Sequence, residues 1–109
     1  MSERIAFVFE LKPGALPEYK RRHDEIWPEM TAMLDEAGVG DFSIFAWQDR
    51  YVFAVLEAEP DFATANEVMR ASPVQERWEA FLADTIAWQL DENDQLQLLQ
   101  EVFRHDGAR

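Results

Sequence analysis

Residues 41–47 and 51–57 are apolar on both of their faces, and this constrains the rest of the chain. Phe42, Ile44 and Ala46 alternate with Ser43, Phe45 and Trp47, while Tyr51, Phe53 and Val55 alternate with Val52, Ala54 and Leu56. Successive side chains of a strand point to opposite faces, so both sides of a sheet built from these segments need a cover. Gln48, Asp49 and Arg50 form a connection short enough for a hairpin. Helices of the same chain can cover one face. At 109 residues the chain is the size of one domain, taken as residues 1–109, and has nothing left for the other face. A second copy is the expected cover, with two sheets packed face to face in a homodimer.

The remaining elements follow from periodicity and punctuation. Residues 4–11 alternate, with Ile5, Phe7, Phe9 and Leu11 on one side, and read as a strand stopped by Pro13 and Gly14. Residues 17–37 read as a long amphipathic helix ended by Gly38. Leu16, Ile26, Met30, Met33, Leu34 and Ala37 fall on its apolar side, and Lys20, Arg21, Asp24, Glu25, Asp35 and Glu36 on the other. Pro28 interrupts it, because a proline inside a helix loses a hydrogen bond and clashes with the preceding turn. A break is expected after Trp27. Residues 60–71 form a helix opened by Asp61. The next helix starts with Ser72 as N-cap, Pro73 at its first position and Gln75 in a capping box. Its expected buried stripe is Val74, Trp78, Phe81, Leu82 and Ile86. Residues 90–95 are an acidic loop, 96–103 a last strand, and 105–109 a frayed tail. The order is βαββαβ, so the fold class is α+β, a ferredoxin-like subunit.

Composition narrows the chemistry. Acidic residues outnumber basic ones 22 to 10, giving a net charge of −12, which repels nucleic-acid phosphates. With no cysteine there is no disulfide, thiolate nucleophile or cysteine zinc site. No apolar run is long enough for a signal peptide or a membrane span, so a cytoplasmic protein is expected. There is no Gly-rich phosphate loop, HExxH spacing or nucleophile elbow.

What remains is a ladder on the first helix. Tyr19, His23 and Trp27 recur at a spacing of four, one turn above each other on one face. This aims His23 at the apolar side. Imidazole changes protonation near neutral pH, which suits an acid/base; a core histidine satisfied by backbone groups uses the same pattern. Asp24, Glu25 and Glu29 lie off its face, so any orienting partner comes from elsewhere. Tyr19, Trp27 and, from the later helix, Trp78 suggest a pocket with aromatic walls and polar points, as sugars require. Each is equally an ordinary core residue.

The stretch Glu18-Tyr19-Lys20-Arg21-Arg22-His23-Asp24-Glu25-Ile26-Trp27-Pro28-Glu29 resembles the L-rhamnose mutarotase family, whose pattern there is close to EYxxRHxxIWPE. Weaker matches are Ala6-Phe7-Val8, Asp41-Phe42-Ser43-Ile44, Arg77-Trp78 and Glu101-Val102-Phe103. The resemblance implies a dimeric α+β barrel that interconverts the α and β anomers of a free aldose, with no cofactor and no metal. It implies His23 as proton donor, Tyr19 as a binder of sugar hydroxyls and Trp78 as a stacking platform. With Trp27, Phe42 stands as a shaper of the pocket, at a position where the family usually has tyrosine. Glu79 follows Trp78 where the family usually has a second tryptophan, and residues 90–95 replace an NPDNSP-like loop.

Two other readings fit the same barrel. One is a cofactor-free monooxygenase or haem-degrading protein, with the helix histidine on iron. The other is a non-catalytic dimeric binding module with a structural His23.

Overall fold

The structure, a computed structural model, describes residues 2–105 and residue 107. Strand β1 is Glu3–Leu11, followed by helices α1, Leu16–Asp24, and α2, Pro28–Ala37. Strands β2, Val39–Trp47, and β3, Tyr51–Ala58, form the expected hairpin. Helices α3, Phe62–Ala71, and α4, Pro73–Leu82, lead through a 3₁₀ turn, Ala83–Thr85, to two short strands: β4, Ile86–Trp88, and β5, Gln97–Leu99.

The sheet is antiparallel, in the order β2-β3-β1 with β4 and β5 sharing the far edge of β1. This is the α+β, ferredoxin-like arrangement expected, with the chain's first strand in the centre. Side chains facing the helices build the core. Phe7, Phe9 and Leu11 of β1 and Val52, Ala54 and Leu56 of β3 are buried against Met30, Met33, Ala65, Met69, Trp78 and Leu82.

The first helix breaks before Pro28 as expected, but earlier than after Trp27: α1 ends at Asp24, and residues 25–27 link it to α2. Trp27 is extended (φ −66°, ψ 137°), as the residue before proline prefers, and becomes the N-cap of α2. Pro28 then occupies the first turn, where its missing N–H costs nothing. Asp61 caps α3 by accepting from the Thr64 N–H at 2.8 Å, and the Ser72 hydroxyl accepts from Val74 and Gln75.

Several expectations need correction. The final strand is not 96–103 but only Gln97–Leu99, and Ile86 belongs to a separate strand rather than to the α4 stripe. The 3₁₀ turn ends α4 at Leu82, whose carbonyl accepts from the Thr85 hydroxyl at 2.6 Å. The edge of β1 is then divided, with Leu11 facing Ile86, Glu10 facing Trp88, and Ala6, Phe7 and Val8 facing β5. Asp91 joins the two pieces by accepting from the Asn93 and Gln95 amides, which brings Leu90 opposite Leu96. Phe81 is 41% exposed instead of buried in the stripe. Gln75 does not close a capping box, because its side-chain amide donates to Glu79. Residues 100–105 have no helix or strand; of the expected frayed tail, Asp106, Ala108 and Arg109 lie outside the described residues.

The second sheet face is open in the single chain. Phe45 and Trp47 on it are 59% and 56% exposed.

Gly38 is the glycine on which the first crossover depends. Its φ of +91° is left-handed, and a Cβ built there would collide with the Glu59 carbonyl oxygen. Gly38→Ala is expected to cost about 2 kcal/mol or more, read as a lower midpoint in chemical denaturation. An unchanged midpoint would contradict this account of the α2–β2 corner.

Candidate active site

Between the helices and the sheet lies a cavity of about 660 Å³. Its floor is Phe7 and Phe9, and its walls carry Tyr19 and His23 from α1, Phe42 from β2 and Trp78 from α4. Each wall residue has a local reason to be there. Tyr19 and His23 are one turn apart on the inward face of α1. Phe42 follows the register shift between Val39 and Phe42 in β2 and shares the helix-facing side with its partner Leu56. Trp78 lies on the buried stripe of α4 and is only 5% exposed.

The orientation of His23 is set by its own helix. Its Nδ1 lies 3.0 Å from the Tyr19 carbonyl oxygen. A carbonyl only accepts, so Nδ1 carries the hydrogen, and in the neutral ring Nε2 is the bare nitrogen. Nε2 has no protein hydrogen bond among the described residues. The orienting partner is thus a backbone group, not one of the neighbouring carboxylates. The ring is held by aromatic neighbours: Tyr19 at 4.4 Å between centroids and Trp78, edge-on, at 5.3 Å.

Burial lowers the pKa of His23 below its ordinary value of 6.5, against smaller upward pulls from the Tyr19 carbonyl and the Asp24 charge. The imidazole is therefore neutral at pH 7. Burial pushes the Tyr19 phenol up, so it stays protonated. Tyr19 lines the cavity, and its hydroxyl has no protein partner among the described residues. The site offers a bare imidazole nitrogen, a neutral phenol and aromatic surface.

Trp27 is placed differently from the expectation. It packs edge-on against Trp78, with centroids 5.0 Å apart, and against Phe81 at 5.4 Å. It does not line the cavity. It backs the tryptophan that does, so it shapes the pocket at one remove. The extended Trp27 backbone before Pro28 turns its ring out of the Tyr19–His23 line.

The cavity has polar wall residues that the sequence does not mark as such. Gln75 and Glu79 line the cavity and are joined by a 2.9 Å hydrogen bond, and Asn66 and Arg70 line it from α3. The available signal was their spacing of four on helices that also present core residues. The position of Gln75, three residues after Ser72, suits a cap equally and masks this role. Among the described residues no group of three or more His, Cys, Asp or Glu could hold a metal ion, and no helix is long and apolar enough to cross a membrane.

Comparison with known proteins bears on the whole chain. A protein-family model described as L-rhamnose mutarotase matches residues 4–105. An L-rhamnose mutarotase of Acidiphilium cryptum is 40% identical over 102 residues, which are 93% of this chain and 96% of that protein. One of Brucella anthropi is 39% identical over 102 residues, with 93% and 94% covered. The crystal structure of an L-rhamnose mutarotase from Formosa agariphila superposes with a TM-score of 0.76 at 30% identity, covering 95% of this chain and 99% of that one.

The burial of His23 has a measurable sign. Its imidazole titration, followed by proton NMR, is expected to have a midpoint below 6.5. Because the folded value is depressed, folding stability is unaffected by this group well above pH 6.5 and falls as acid protonates the unfolded chain first. His23→Gln should remove that part of the pH dependence. A midpoint at or above the ordinary value would mean that the ring is solvated.

Proposed function

The chain belongs to the L-rhamnose mutarotase family, a group of carbohydrate isomerases, and from that premise we propose that it interconverts the α and β anomers of L-rhamnose or a similar deoxy aldose by acid–base ring opening at His23. The observation that carries this reading is the tether of His23 Nδ1 to the Tyr19 carbonyl, which leaves Nε2 free in an aromatic-walled cavity.

The chemistry balances with one nitrogen. Neutral Nε2 takes the proton of the anomeric hydroxyl as the bond between the anomeric carbon and the ring oxygen breaks. The imidazolium so formed gives its proton to the ring oxygen, leaving an open-chain aldehyde. Rotation about the adjacent carbon–carbon bond presents the other carbonyl face, and the same steps in reverse close the ring as the other anomer. No redox step is involved. A group near neutral pKa suits both directions of transfer. Tyr19, kept neutral by burial, can donate to or accept from a sugar hydroxyl. Trp78 supplies a surface for the sugar's C–H groups, and Phe42 an apolar wall suited to a deoxy carbon.

The homodimer belongs to this proposal as well. The open sheet face with Phe45 and Trp47 is covered by the same face of a second copy. Trp47→Glu is expected to turn a dimer into a monomer in sedimentation velocity; a wild type that sediments as a monomer would remove this part.

Anomer exchange measured by magnetisation-transfer NMR tests the reaction. L-Rhamnose should exchange faster with the protein, and His23→Ala should lose about 10²–10⁴-fold of that acceleration. L-Fucose, D-ribose and D-glucose serve as comparison sugars. If another aldose responds instead, the mechanism stands and the sugar changes. If none responds to folded protein, the proposal fails.

A further inference from the structure

Arg22 precedes His23 in sequence but turns away from the cavity, and four hydrogen bonds hold its guanidinium. Its Nε donates to Glu18 at 2.7 Å, Nη1 donates to the Phe81 carbonyl and to Asp84, each at 2.7 Å, and Nη2 reaches the other Asp84 oxygen at 3.2 Å. The guanidinium also lies 4.8 Å from the centre of the Phe81 ring. Its side chain is 13% exposed, whereas those of neighbouring Lys20 and Arg21, which pair within their own helix, are 72% and 54% exposed. Exposed pairs of the latter kind contribute little. The two-pronged contact of Arg22 with Asp84 is directional, and lysine cannot reproduce it.

The contacts join two elements that share the site. Phe81 lies in the last turn of α4, Asp84 in the 3₁₀ turn just beyond, and Trp78 one turn earlier on α4. The 3₁₀ turn packs against α1. Arg22 therefore ties α1 to the end of α4, and His23, the next residue, lies 5.3 Å from Trp78. Glu18 anchors the other side of the guanidinium and remains ionised, its pKa held down at about 2 by hydrogen bonds from Arg21 and then Arg22.

We propose that Arg22 is a positioning residue, and that its clamp on Asp84 and the Phe81 carbonyl sets how His23 meets a sugar lying against Trp78. It touches no substrate. The proposal deepens the mutarotase reading and rests on it for its kinetic consequence, though not for its geometric one. A catalytic group displaced by about 1 Å can lose about 10²-fold in rate.

The test compares Arg22→Lys, Arg22→Met and Asp84→Asn by sugar NMR and by titration of the His23 ring, each well below its own unfolding temperature. Arg22→Met should lower kcat for anomer exchange about 10–100-fold, with a smaller change in KM. Arg22→Lys should recover part of the loss, and Asp84→Asn should fall between them and wild type. The midpoint of His23 should move from its lowered position toward 6.5 as contact with Trp78 loosens. Unchanged kcat and midpoint in folded variants would overturn the proposal. So would a loss of kcat that only follows the unfolded fraction. If Arg22→Met does not fold, Arg22→Lys and Asp84→Asn decide it. If wild type exchanges no aldose, the mutarotase reading falls by itself, and the midpoint of His23 alone decides whether Arg22 sets its position.

Discussion

Proline cannot continue the helix that precedes it, and the site depends on that restriction at Pro28. An unbroken helix over residues 17–37 would run about 30 Å in one direction. It would place Tyr19, His23, Trp27 and Met30 on a single ridge, all committed to the same neighbour. With the break, the two halves do different work. Met30, Met33 and Ala37 of α2 seal the core, and α2 packs against α3, α4 and β2. The shorter α1 lies beside the turn that follows α4, and its last residues bring His23 and Arg22 to two different sides of the same junction. Pro28 also begins the helix that it interrupts the other from becoming, so the break leaves little backbone unsatisfied: Met30 and Thr31 donate to the Trp27 carbonyl, and Glu25 and Ile26 to those of Arg21 and His23.

The aromatic packing that closes the core also prepares the histidine. Phe9 meets Tyr19, Tyr19 meets His23, and His23 meets Trp78, which is backed by Trp27 and Phe81. Burying an imidazole penalises its charged form. A carboxylate beside Nδ1 would offset that penalty. The Tyr19 carbonyl fixes the ring without contributing a full charge, so the desolvation effect prevails and the ring rests neutral. Structural and catalytic readings of His23 need not compete at this point. One nitrogen is satisfied by backbone, as a core histidine requires, and the other is left unengaged.

Much of this was legible in the sequence, for reasons that differ between elements. Alternation marks β1, and β2 and β3 stand out as two runs apolar on both faces flanking a short turn. Ser72, Asp61, Gly38 and Pro28 marked helix ends because each acts within a few residues of itself. The strands β4 and β5 were misread because each is three residues long and takes its identity from the edge of β1, a long-range fact. The site divides along the same line. Tyr19 and His23 are visible through spacing on one helix, Trp78 as an aromatic on the later helix as well as through the family resemblance, and Phe42 through the resemblance alone. Trp27 was placed one layer too far in because helical spacing was carried across the break. The contacts of Arg22 with Phe81 and Asp84 span 59 and 62 residues, and no local pattern announces them.

The open sheet face raises an electrostatic question, since two chains of net charge −12 repel each other. The distribution of charge reduces the difficulty. The acidic excess lies largely on helices and loops, away from the row containing Phe45 and its partner Phe53. On that side one carboxylate is paired within the chain. Glu10 accepts from Arg50 and from the Trp88 ring nitrogen, and the pairing holds its carboxyl below the usual range. Arg4 stands directly opposite Glu57 in the register of β1 and β3, the favourable sign for a cross-strand pair. The face that lacks a cover is therefore apolar at its middle, with Glu10 paired to Arg50 at one end. A second copy of the same face could meet that apolar middle, while the cavity on the opposite side of the sheet would be left free for its ligand.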